Sequence, residues 1–162
     1  GLYWKNNFAT AERSFSAVPS ILGSLPYGEI GFTLLDKLPR HVTLTSILGA
    51  NGYQTNFFYG QGAWFHKKNK FFQTNNISCI ADNSTYSEKY PKVIVGDDNY
   101  FWGYDDKSLF GQSLEIIDTL PSKPRLDVYF TGTTHSPFVY MTDEDYYQKY
   151  FDSIVDGISI QM

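Results

Sequence analysis

An α/β fold with a mostly parallel sheet flanked by helices is predicted, and three observations carry that reading. Helix-spaced apolar residues, glycine stops and aromatic or β-branched runs alternate along the chain. At 42% hydrophobic over 162 residues, the composition supplies one ordinary core. His135 falls just past a predicted strand over 126–131, at the carboxyl end where open α/β sheets hold ligands.

The first predicted helix spans about 16–25, with Val18, Ile21, Leu22 and Leu25 on one stripe and Pro26 and Gly28 as the stop. Proline is tolerated in the first helical turn, so Pro19 sets the start near Ser16 and leaves Ser14 just upstream. Free N–H groups and the positive dipole end attract anions there, and Arg13 adds a fixed charge. A second helix over 43–50 stops at Asn51-Gly52 and leads into an aromatic strand over 53–59 and the turn Gly60-Gln61-Gly62.

An amphipathic helix is predicted over 64–73 and a short strand over 77–81. A polar excursion over 82–98, containing the apolar residues 93–95, comes next. Asp105 or Asp106 caps a helix reaching about 120, whose Leu109, Phe110, Leu114 and Ile117 share a face. Pro121 and Pro124 bracket the turn into the strand over 126–131, and a last helix is predicted over 143–160.

Net charge near −4 argues against nucleic acid as a partner, since the tight basic run is only Lys67-Lys68 with Lys70. One cysteine, Cys79, allows no internal disulfide and reads as a small buried residue, and His41 reads as a surface or capping residue. The 18% aromatic content suits a large core or sugar stacking, so a noncatalytic glycan-binding module displaying Trp64, Phe65 and Tyr59 stands as an alternative.

Three blocks then set the chain in a wider context. They are Phe8-Ala9-Thr10-Ala11-Glu12-Arg13-Ser14 through Leu25-Pro26, Asn51-Gly52-Tyr53 through Tyr59-Gly60, and Trp102-Gly103-Tyr104-Asp105-Asp106 leading to Gly132-Thr133-Thr134-His135-Ser136-Pro137-Phe138. In order and spacing they resemble the lipoteichoic acid synthase and phosphoglycerol transferase branch of the sulfatase and alkaline phosphatase superfamily. The resemblance implies a partial alkaline-phosphatase-like sandwich, with 1–162 as the central part of one catalytic domain. It implies a bacterial, extracytoplasmic, envelope-associated parent enzyme that transfers phosphoglycerol or a related head group. Hydrolysis of phosphate or sulfate esters is the alternative, although the formylglycine pattern of sulfatases is absent around Ser14.

By the same resemblance Ser14 is the nucleophile and a ligand of a divalent metal (Mn, Mg or Zn). His135 contacts the transferred group or leaving oxygen, and His66 and Lys68 fall at substrate contacts, where Lys68 replaces the usual arginine. Trp102 matches a recurrent motif and joins Arg13 as a substrate-side candidate, though packing is the first reading of the tryptophan. The family's acidic first-strand ligand and Asp-His pair belong before Gly1 and after Met162. The expectation is therefore a piece inactive alone, with a phosphoglycerol lipid or glycan head group as ligand, membrane attachment through segments outside it, and exposed sheet edges that favour self-association.

Overall fold

The computed structural model describes residues 5–6, 8–9, 11, 13–25, 34–38, 40–95 and 97–135; the helix predicted over 143–160 lies outside them. In chain order the elements are α1 (Ser14–Gly23), α2 (Leu44–Ala50), β1 (Gln54–Tyr59), a 3-10 turn (Phe65–Lys67) and α3 (Lys68–Thr74). They continue with β2 (Cys79–Ala81), β3 (Lys92–Val95), β4 (Tyr100–Tyr104), α4 (Asp106–Ile117) and β5 (Arg125–Phe130).

Three strands form a parallel sheet in the order β2-β1-β5, with Phe57 opposite Ile80 on one side and Val128 on the other. Central β1 is buried on both faces, as parallel strands between helical layers are. Phe57 and Tyr59 pack with Val18 and Leu22 of α1 and with Phe71 and Phe72 of α3. Phe58 takes the opposite face with Tyr86, Tyr104 and Leu109 of α4. The polar residues of β1 are paired: Asn56 Nδ2 donates to Asp127 Oδ1 at 2.7 Å, and Thr55 Oγ1 to the Asn76 carbonyl at 3.3 Å.

Helix α2 begins where expected, with Thr43 and Ser46 capping each other reciprocally, and α4 starts at the cap Asp105, whose Oδ1 accepts from Ser108 N at 2.7 Å. Helix α1 departs from expectation. It starts at Ser14, so Pro19 sits inside it and leaves the Phe15 carbonyl without its usual donor. Burial of Ser16, Val18 and Leu22 holds the extra turn, and this tertiary packing outweighs the lost bond. Gly23 ends the helix over His41, which is half-buried: its ring lies near Phe71, and a Cβ at position 23 would come within 2.8 Å of His41 Nε2.

The excursion over 82–98 also departs, since its apolar residues form β3, which pairs antiparallel with β4. This hairpin is tied to the sheet where Tyr104 N donates to the Gly60 carbonyl at 2.8 Å. Two glycines permit the approach: a Cβ on Gly60 would strike the Tyr104 carbonyl, and one on Gly103 (φ 147°) would lie 2.6 Å from the Gly60 carbonyl. Gly103→Ala is therefore expected to destabilise the fold by about 2–4 kcal/mol, read as a lowered urea midpoint, because strain and displacement of a main-chain bond add.

Candidate active site

The loops leaving the carboxyl ends of β1, β2 and β5 meet the first turn of α1 around a cavity of about 360 Å³. Connections from β1 run to β2 on one side while β5 lies on the other, and this change of direction is where open α/β sheets leave a crevice.

Ser14 lines the cavity from the first residue of α1, exposed, at a helix start that no side chain caps. The serine is therefore not a capping residue; that place belongs to Arg13, an exposed residue outside the cavity lining. His135 lines the cavity from the loop after β5. Asp106 and Thr133 hold that loop: Asp106 Oδ1 accepts from Gly132 N at 2.7 Å, and Thr133 Oγ1 accepts from Asp106 N at 2.9 Å. The His135 N–H donates to the Gly132 carbonyl at 2.9 Å, closing a tight turn.

Trp102 of β4 also lines the cavity, with its ring 5.5 Å from that of His135. Among the described residues nothing accepts from its buried Nε1, so an indole donor is unspent beside the histidine. Lys68 occupies the inner wall at 2% exposure, with Nζ 4.9 Å from the Tyr59 and Phe65 ring centroids and 5.1 Å from that of Phe130. Its Nζ donates to the Phe65 carbonyl at 3.0 Å, and burial brings its pKa down to about 8. Trp64 and Phe65 stand exposed around the opening, whereas Tyr59 is buried, its hydroxyl donating to Gln61 Oε1 at 2.6 Å.

His66 is not in the cavity lining, although its neighbours Phe65 and Lys68 are. The helix predicted over 64–73 breaks here: His66 and Lys67 take left-handed backbone (φ 51° and 53°) before α3 resumes. Strain of this kind costs about 1–3 kcal/mol per residue and collects at functional sites. Burial lowers the His66 pKa first, and the cations Lys68 and Arg13 lower it further. Cys79 is half-buried, and burial raises its thiol pKa, as suits an inert residue. Sequence reasoning missed Phe15, Gln61, Asn83 and Asp106, since only the folded loops bring them to the site.

Residues 1–157 match the family described as Sulfatase. The chain belongs to the sulfatase family. Its fold is that of the alkaline phosphatase superfamily, shared with a protein of that superfamily from Vibrio parahaemolyticus (27% identity, TM-score 0.67, 82% of this chain and 32% of that one). The fold is also similar to the lipoteichoic acid synthase LtaP from Listeria monocytogenes (17% identity, TM-score 0.59, 81% of this chain and 31% of that one). This sulfatase-family chain thus spans about a third of the length of both structures.

The metal implied by the resemblance has no complete site among the described residues. No group of three or more His, Cys, Asp or Glu side chains is placed there to hold an ion, and Ser14 is the ligand that the resemblance implies. Among the described residues no helix is long and apolar enough to cross a membrane.

Proposed function

We propose that this sulfatase-family chain supplies the nucleophile and substrate contacts of an extracytoplasmic, metal-dependent phosphotransferase of the bacterial envelope. Its donor carries phosphoglycerol or a related head group, borne on a lipid or a glycan. The observation that supports this most is convergence: Ser14 and His135, far apart in sequence, line one cavity with a buried lysine.

In this reading Ser14 Oγ forms a bond to phosphorus as the bond from phosphorus to the donor's leaving oxygen breaks. The serine loses a proton and the leaving oxygen gains one, with the His135 imidazole carrying it between them. Lys68 faces the phosphoryl charge, and Trp102 Nε1 offers a further donor to its oxygens. An acceptor hydroxyl then attacks phosphorus and releases Ser14.

The test is to incubate the complete catalytic domain with manganese or magnesium and a phosphoglycerol donor, quench it, and map modified residues by mass spectrometry. The expected result is phosphoglycerol on Ser14 and a lengthened acceptor among the products. Modification at another residue overturns the assignment of the nucleophile, and a free phosphate ester in place of the lengthened acceptor identifies a hydrolase.

A further inference from the structure

Phe15 follows Ser14 directly, and its ring lies flat on the imidazole of His66, with centroids 3.6 Å apart and planes 5° apart. Phe65 closes on the same imidazole edge-on, at 4.2 Å and 75°. The imidazole reaches this place through the left-handed bend at His66 and Lys67, which three main-chain bonds hold. Phe65 N donates to the Gly62 carbonyl at 3.1 Å, Lys67 N to that of Trp64 at 2.9 Å, and Asn69 N to that of Ala63 at 2.8 Å. The residue implied as a substrate contact therefore spends its ring on the neighbour of the nucleophile and stays out of the cavity lining.

We infer that His66 is a positioning residue: its ring is the platform that holds Phe15, and through Phe15 the first turn of α1, so that Ser14 keeps its place in the cavity wall. The inference rests on Ser14 being the nucleophile. Helix α1 needs such a brace, because its start has no side-chain cap and Pro19 removes the donor to the Phe15 carbonyl. Ser16 N donates to the Arg13 carbonyl at 3.0 Å, and contact from outside adds to this bond in setting the orientation of the turn. A platform acts through a flat surface, which phenylalanine reproduces; a substrate contact acts through ring nitrogens, which phenylalanine lacks.

The two roles separate in the complete catalytic domain. For His66→Ala, kcat is expected to fall about 10²-fold with KM little changed, the scale of a misplacement of about 1 Å. His66→Phe is expected to restore kcat to near the unmodified value, a rescue that a substrate contact does not allow. The Phe15 ring protons, shifted upfield by the stacked imidazole, are expected to lose that shift in His66→Ala and keep it in His66→Phe. Loss of activity in a folded His66→Phe protein, or a raised KM with intact kcat in His66→Ala, overturns the inference while phosphorylated Ser14 still stands. If Ser14 proves unmodified during turnover, the reading beneath fails instead, whatever the ring shifts show.

Discussion

Ser14→Ala is expected to lower kcat by about 10⁴-fold or more, a loss of the size seen when covalent nucleophiles are removed from hydrolases. The side chain is exposed at the start of α1 and caps nothing, so the substitution removes one oxygen without disturbing helix or core. An alanine at the first position of a helix is well tolerated, which keeps the expected change in stability within about 0.5 kcal/mol. That contrast gives the prediction its force: full retention of the thermal midpoint beside near-complete loss of transfer, measured by donor turnover and by loss of the phosphorylated peptide. His135→Ala is the companion variant. It removes a proton carrier and leaves the nucleophile, so a loss of about 10²–10⁴-fold with some labelling of Ser14 remaining is expected. Transfer that survives in Ser14→Ala removes the serine from the chemistry and overturns the assignment of the nucleophile.

How much of this was legible beforehand differs between fold and site. Strand β1 and helix α2 read directly, because Thr43 caps and the Asn51-Gly52 stop, with Gly52 at φ 83°, is the local chemistry that ends a helix. Helix α4 read through Asp105 for the same reason. Pro19 misled because a local rule about proline was applied where the burial of Ser16 and Val18 decides. The docking of the β3–β4 hairpin on the sheet was hidden because it depends on the close approach of Gly60 and Gly103, which lie far apart in sequence and which no periodicity marks. The bend at His66 was hidden too, since it holds two successive left-handed residues and neither is a glycine. At the site, the resemblance pointed to Ser14 and His135, which the fold places around one cavity. Phe15, stacked on His66, belongs to no motif and emerges only from the packing.

Lys68→Met is expected to strengthen the fold while weakening the donor's grip. Among the described residues no carboxylate pairs with this lysine; three aromatic rings and the Phe65 carbonyl are its company. Ring faces offset part of the cost of burying a cation, and burial still brings the pKa down to about 8. Between about 8 and 10.5 the unfolded chain holds a proton that the folded chain has shed, so stability rises with pH across that window. Below it the folded state carries the full penalty, about 3 kcal/mol from a shift of this size. Methionine keeps the length of the side chain and carries no charge, so Lys68→Met is expected to gain about 1–3 kcal/mol at pH 7 by urea denaturation. That gain should shrink toward pH 10.5, where the unmodified protein has already been relieved. Binding should move the other way. Removing a charged donor from a phosphate contact costs about 1.5–3 kcal/mol, or about 10–100-fold in the Kd for phosphoglycerol. The unmodified protein should also lose affinity above pH 8 as Lys68 gives up its proton, with Lys68→Met flat over the same range. In the proposed reading the anionic donor offsets the cost of this buried cation, and a variant both less stable and unchanged in binding would show that no anion is held there.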